Sequence, residues 1–218
     1  FEMISFLILG FVFVVGMRAV YIICSIHKGT KTASAKRYHP LKTAVIIGSG
    51  GHTTEILKLL QNLNSVNYSP RIYIMASTDT SSEVKIHKTE ETCFSHNGLN
   101  SYEIVKIPRS RSVGQMYISS VFTTLFALLV SLPIMLKKRP EVIICNGPGT
   151  CIPICVIAFM MRVLYITDTK IVFVESICRV KTLSLSGKIL LLFADIVLVQ
   201  WPKLKERYRR TTFIGRLT

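Results

Sequence analysis

The sequence predicts an α/β fold, a single parallel sheet wound on both faces by helices and preceded by an apolar N-terminal helix. Three observations predict it. Seven short apolar runs recur from residue 43 onward: TAVIIG (43–48), RIYIMAS (71–77), YEIVKI (102–107), EVIICN (141–146), KIVFVES (170–176), DIVLVQ (195–200) and TTFIG (211–215). The runs are largely continuous in Val and Ile rather than strictly alternating, which marks strands buried on both faces and therefore a parallel sheet. Segments long enough for crossover helices separate them, at 53–63, 80–92, 113–138, 151–165 and 184–193. Strand and helix thus alternate as in a Rossmann-like, doubly wound domain.

The elements follow in order. Residues 3–17 (MISFLILGFVFVVGM) are apolar and uncharged, and after Arg18 the run resumes as AVYIIC, ending near Ile26. A membrane span takes about 20 residues, so 3–24 suffices with Arg18 snorkelling toward a headgroup. His27, Lys28, Lys31, Lys36 and Arg37 follow, and positive flanks stay cytosolic, which places the N-terminal end in the lumen and the rest in the cytosol. A cleaved signal peptide carries its positive charges ahead of the apolar core, where this chain has Glu2. The expected division is an anchor over 1–26, a basic linker over 27–41 ending in His39-Pro40, and one α/β domain over 42–218. A second uncharged run, 117–136, is also long enough to span. Crossing there would separate the glycine loops at 48–52 and 147–149, so it is read as a helix packed on the sheet and lying partly in the lipid interface.

Composition narrows the partners. Lys and Arg number 27 against 12 Asp and Glu, a formal charge of +15, and half the residues are hydrophobic. The apolar excess belongs in lipid or against a partner, and the positive charge attracts headgroups, phosphorylated substrates or nucleic acid. No zinc-finger spacing, RNP-like motif or basic heptad region supports nucleic acid. Six cysteines, at 24, 93, 145, 151, 155 and 178, form no CxxC, and read as reduced thiols in a cytosolic compartment. The histidines show no metal-ligand spacing, so no metal site is expected.

Ligands of such sheets bind outside the carboxyl ends of the strands, where three clusters fall. Gly48-Ser49-Gly50-Gly51-His52-Thr53-Thr54-Glu55 follows the first strand and opens a helix; glycines admit a ligand to the backbone, and a helix N-terminus favours an anion. His52 is a candidate base or hydroxyl-binding group; the plain alternative is an ordinary strand-to-helix turn. Asn146-Gly147-Pro148-Gly149 follows the fourth strand and repeats the device. Glu175 ends the fifth strand and is the second catalytic candidate, able to bind hydroxyls, orient a base or compete with His52 for that role; the plain alternative is a structural pair with Arg179 or a neighbour. Arg109 and Arg111 follow the third strand and could supply cations to phosphate oxygens or sit on lipid. The dinucleotide pattern lacks its last glycine and its acidic residue about 20 positions on, which disfavours a nicotinamide cofactor; no cofactor is expected.

GSGGHTTEILKLL, IPRSR, VFTT, ICNGPGTCIPIC, VESICRVKTLSLSGKIL and VQWPKLKERY, in that order, resemble the membrane-anchor subunit of the endoplasmic-reticulum UDP-N-acetylglucosamine transferase. The likeness runs from residue 43 to the end and includes the anchor; the stretch 64–101 resembles nothing placed. It implies the acceptor-side half of a split GT-B glycosyltransferase, similar to the N-terminal half of the bacterial enzyme that glycosylates lipid II precursor. The implied reaction adds the second GlcNAc, in an inverted β1,4 linkage, to GlcNAc-pyrophosphate-dolichol. Implied partners are a soluble subunit carrying most of the UDP-GlcNAc site, the endoplasmic-reticulum membrane, and the enzyme adding the first or the next sugar. On this resemblance Gly50, Gly51 and His52 match the first loop, Asn146, Gly147, Pro148 and Gly149 the second, and Glu175 the acidic position. Gly215, Arg216, Leu217 and Thr218 match the tail that docks on the partner. The competing readings are a scaffold without catalytic residues and a self-sufficient NAD-dependent reductase.

Overall fold

The computed structural model describes residues 2–29, 39–93, 102–109, 117–147 and 149–217. Arg111, Pro148, Thr218 and most of the expected linker lie outside these. The element order is α1 (Glu2–His27), β1 (Thr43–Ile46), α2 (Gly51–Gln61), β2 (Arg71–Ala76), α3 (Thr80–Cys93), β3 (Tyr102–Ile107), α4 (Tyr117–Lys138), β4 (Val142–Asn146), α5 (Cys151–Val163), β5 (Lys170–Val174), α6 (Leu185–Phe193), β6 (Ile196–Val199), α7 (Pro202–Arg207) and β7 (Thr211–Phe213). All seven expected strands form, and α7 is an addition that the sequence reading did not contain.

The strands make one sheet in the order β3-β2-β1-β4-β5-β6-β7, and every neighbouring pair is parallel. The order reverses between β1 and β4, which pair in register from Thr43 with Val142 to Ile46 with Cys145. The continuous Val/Ile runs have the cause proposed for them. In β1 and just beyond it, Ala44 and Ile46 face one core with Ile143 and Cys145 of β4, while Val45 and Ile47 face the other with Val142 and Ile144. The first core is closed by α4, α5 and α6 through Met135, Ile154, Ala158 and Leu190, the second by α2 and α3 through Ile56, Leu60 and Ile86. Cys145, Cys151 and Cys155 are buried thiols within the first core.

Two helices are long and apolar enough to cross a membrane, Met3–His27 and Val121–Lys138. In α4, Ala127, Ser131 and Met135 are buried along one stripe, the i, i+4, i+8 spacing of a helix packed on a neighbour. Val121, Phe122, Leu125, Phe126 and Leu129 remain exposed on the rest. The expected packing of this helix on the domain therefore holds, with a broad apolar face left over. α1 is exposed over most of its length, and its last turns meet α5 and α6. Arg18 turns toward the domain. Its guanidinium lies 2.9 Å from the centre of the Tyr165 ring and donates to the Arg162 carbonyl at 3.3 Å.

Candidate functional site

The carboxyl ends of β1 and β4 part where the strand order reverses, the crevice in which open α/β sheets receive ligands. Each strand leads through a tight turn into a helix, and each turn holds a glycine with positive φ, 67° at Gly50 and 78° at Gly147. Neither α2 nor α5 has a side-chain cap bond or an acidic residue in its first turn. The first N–H groups of α2 and the positive ends of both dipoles therefore face the crevice for an anion, while in α5 the Ile152 N–H already donates to the Gly149 carbonyl at 3.2 Å and Pro153 has none. Two such helix starts side by side can share a pyrophosphate.

His52 stands in the first turn of α2 and joins the two loops. Its Nδ1 lies 2.7 Å from Oδ1 of Asn146, the last residue of β4. Gly147 presses on the same ring, and a Cβ at that position would overlap the imidazole. Asn146 is fully buried, and its amide nitrogen donates to Glu55 Oε2 at 3.0 Å. Glu55 lies three residues beyond His52 on α2 and is itself buried. Its Oε2 also accepts from Gln200 Nε2 at 3.1 Å and from the Ile177 N–H at 3.3 Å, and its Oε1 accepts from the Ser176 hydroxyl at 3.0 Å. Four segments, α2 and the ends of β4, β5 and β6, are thereby tied at one carboxylate.

In front of His52 opens a cavity of about 1010 Å³. Ser49, His52, Arg109, Gly149, Ser176 and Arg179 give it a polar, cationic side; Val121, Leu125 and Leu128 of α4, Ile152 and Val156 of α5, and Leu185 and Ile189 of α6 give it an apolar wall. That wall continues onto the exposed face of α4. The space can thus take a molecule with an anionic centre, hydroxyls to bind and a greasy end.

The expected site residues divide by what they touch. Ser49, His52, Arg109, Gly147, Gly149 and Glu175 reach the cavity. Gly48 and Thr53 lie behind it: the Thr53 hydroxyl donates to the Gly48 carbonyl and sits 2.6 Å from Ser82 Oγ, holding the loop in shape. Gly51 is exposed at the start of α2. Glu175 is wholly buried and fully engaged. Its Oε2 accepts from the Ser184 N–H at 2.8 Å and the Ser184 hydroxyl at 3.0 Å, and its Oε1 from the Ser176 N–H at 3.1 Å. Burial pushes its carboxyl above the usual range, while the Ser184 and Ser176 bonds and the charge of Arg179 pull it back. Gly187 packs so closely that a Cβ there would strike Glu175 Oε2, so this carboxylate shapes the start of α6. The tail residues fold back on the sheet: the Leu217 N–H donates to Gln200 Oε1 at 2.9 Å, and Arg216 lies 4.6 Å from the Trp201 ring centre.

Sequence reasoning placed Glu55 at the end of the first cluster without a role, and missed Gln200 as part of the site and Arg179 as a second cation in the cavity. The available signal was Glu55 on the same helical face as His52 and a polar Gln closing the apolar run DIVLVQ.

The family model for oligosaccharide biosynthesis protein Alg14-like chains matches residues 43–217. The chain is 45% identical over 205 residues to the human UDP-N-acetylglucosamine transferase subunit ALG14, covering 93% of this chain and 94% of that one. To the subunit of the same name from Mus musculus it is 48% identical over 181 residues, covering 81% and 83%. To that from Yarrowia lipolytica it is 44% identical over 176 residues, covering 81% of each. Among solved structures the fold is similar to Acinetobacter baumannii MurG, with a TM-score of 0.56 at 15% identity, over 82% of this chain and 46% of that one. It is similar also to a UDP-N-acetylglucosamine 2-epimerase from Rickettsia bellii, with a TM-score of 0.50 at 12% identity, again over 82% and 46%. The chain spans about half the length of each of those two structures, and the likeness to them is one of fold.

Proposed function

The chain belongs to the Alg14-like family of oligosaccharide biosynthesis proteins, and from that premise we propose that it is the membrane-anchoring, acceptor-side subunit of a heteromeric UDP-GlcNAc transferase. Its acceptor is GlcNAc-pyrophosphate-dolichol at the cytosolic face of the endoplasmic reticulum, to which the complex adds the second GlcNAc in β1,4 linkage. A soluble subunit carries most of the UDP-GlcNAc site, and the tail around Gly215–Leu217 docks it. The observation that carries the reading is the meeting of both glycine loops on His52, in front of a cavity with arginines on one side and an apolar helical wall on the other. A pyrophosphate suits the paired helix N-termini, and a polyprenyl chain suits the α4 wall that runs out onto an exposed apolar face. The α1 helix and the formal charge of +15 suit an anionic membrane surface, where each well-placed Lys or Arg contributes about 1 kcal/mol.

In this reading His52 is the base. The 4-hydroxyl oxygen of the acceptor GlcNAc attacks the anomeric carbon of UDP-GlcNAc as its proton passes to the imidazole. The bond from that carbon to the UDP oxygen breaks, its electron pair leaves with UDP, and the configuration inverts. Arg109 and Arg179 hold phosphate oxygens.

The test is transfer of labelled GlcNAc to a GlcNAc-pyrophosphate-dolichol analogue by this chain alone, by the pair with its soluble subunit, and by the pair with His52→Ala. Activity is expected from the pair only, and the His52→Ala pair, still assembled, is expected to lose about 10²- to 10⁴-fold. A loss under about tenfold removes His52 as the base, and a fully active mutant pair reduces the chain to an anchor.

A further inference from the structure

We propose that Glu55 is a positioning residue: through the Asn146 amide it fixes which nitrogen of His52 carries the proton and leaves Nε2 as the acceptor. The inference rests on the reading of His52 as the base and adds what makes it one.

The argument follows the hydrogen bonds from a donor that cannot change. The backbone N–H of Ile177 can only donate, and it points at Glu55 Oε2 at 3.3 Å. The Gln200 amide is fixed independently: its oxygen accepts from the Leu217 N–H at 2.9 Å, and its nitrogen donates to the Glu175 carbonyl at 3.1 Å. Gln200 Nε2 is therefore a second donor to Oε2, at 3.1 Å. An oxygen facing two such donors accepts, whatever happens at Oε1. Asn146 thus turns its NH₂ to Oε2 and its carbonyl oxygen to His52, 2.7 Å from Nδ1. A carbonyl oxygen only accepts, so Nδ1 must carry the proton. In the neutral ring the lone pair then lies on Nε2. Without Glu55, the Asn146 amide loses the partner that distinguishes its two ends, and a flipped amide favours the opposite tautomer.

The geometry also distinguishes two substitutions. Among the described residues Oε1 meets only the Ser176 hydroxyl, at 3.0 Å, which can reverse and accept. In Glu55→Gln the new amide oxygen can therefore stay at the Oε2 position and keep all three donors. Glu55→Leu removes the acceptor outright.

The experiment uses the full-length chain assembled with its soluble subunit, as wild type, Glu55→Gln and Glu55→Leu. It reads co-purification of the subunit, KM and kcat for the lipid-linked acceptor analogue, and ¹⁵N spectra of histidine-labelled complex, with the His52 signals assigned by their loss in His52→Gln. Wild type is expected to show protonated Nδ1 and bare Nε2. Glu55→Leu is expected to bring in the opposite tautomer and to lower kcat about 10- to 100-fold at little-changed KM, the size seen when a metal-bound histidine loses its orienting partner. Glu55→Gln is expected to rescue the wild-type tautomer and most of that loss. An assembled Glu55→Leu complex with an unshifted His52 spectrum overturns the proposal. So does equal loss in both variants with the spectrum unchanged, which is what a purely structural role gives. Should Glu55→Leu fail to assemble, Asn146→Leu applies the same tautomer test, since it cuts the chain one link later and leaves the other donors of Glu55 in place. If His52→Ala keeps its activity while Glu55→Leu still shifts the tautomer, the base assignment fails and the positioning stands.

Discussion

Two glutamates buried on the same face of the sheet, Glu90 in α3 and Glu55 in α2, are held by opposite means. Glu90 meets a cation. Arg71 donates to it through Nε and Nη2, both at 2.7 Å, and the Tyr73 hydroxyl donates to it as well. Burial first, and then the charge of Glu90, pushes the Tyr73 phenol well above its usual range. None of the three lines the cavity. Charge is answered by charge, and the cluster pins α3 to β2. Glu55 has only neutral donors around it, from Ile177, Asn146, Gln200 and Ser176, and one of those leads to a half-exposed histidine at the cavity. The ion pair ties α3, β2 and the Ser65 and Tyr68 carbonyls together away from the cavity, whereas the carboxylate held by neutral donors transmits an orientation to the histidine beyond them.

The largest expected break in this comparison is Arg71→Met. It leaves Glu90 without its cation and should cost about 3–5 kcal/mol of folding stability, read by denaturant unfolding in detergent, while turnover per folded complex stays at wild type. Glu55→Leu should do the reverse: about 1–3 kcal/mol of stability and a loss of turnover beyond it. Equal losses of turnover in the two variants would erase the distinction. Next comes Gly147→Ala, which adds about 1–2 kcal/mol of strain at a positive φ. Its Cβ also displaces the His52 ring, so turnover of the assembled complex should fall about tenfold or more. The smallest effect on folding belongs to the double variant Phe122→Ser with Phe126→Ser, on the exposed face of α4. Stability should change by no more than about 0.5 kcal/mol per site. A soluble form lacking α1 should nevertheless bind anionic vesicles measurably more weakly than its unsubstituted counterpart, and equal binding would take α4 out of the lipid contact.

The seven strands were legible because a strand buried on both faces must be apolar at every position, and such runs survive without any knowledge of their neighbours. Their ends were less so: for TAVIIG the strand runs only over Thr43–Ile46, although the Ile47 N–H still donates to the Ile74 carbonyl at 2.8 Å. The approach of the two glycine loops was legible once a parallel sheet was inferred, because its switch point brings β1 beside β4. Glu55 was not. On paper it is one polar residue in an amphipathic helix, and only the arrival of Asn146, Ser176 and Gln200, 91, 121 and 145 positions away, makes it a hub. Glu175 misled in the other direction, since a carboxylate at a strand end looks available until Ser184 and Gly187 are seen closing over it.

The central position of β1 also has a consequence for biosynthesis. Its partner β2 follows closely, but β4 is far off: the Lys42 N–H waits for Glu141, 99 positions later, and His52 waits 94 positions for Asn146. At about 5–20 residues per second on the ribosome, one edge of β1 stays open for several seconds after it has emerged. The crevice where the ligand is to sit is therefore the last seam of the sheet's first half to close. During that interval nascent-chain helpers have their clearest target, and slowed elongation before residue 142 would expose it longest.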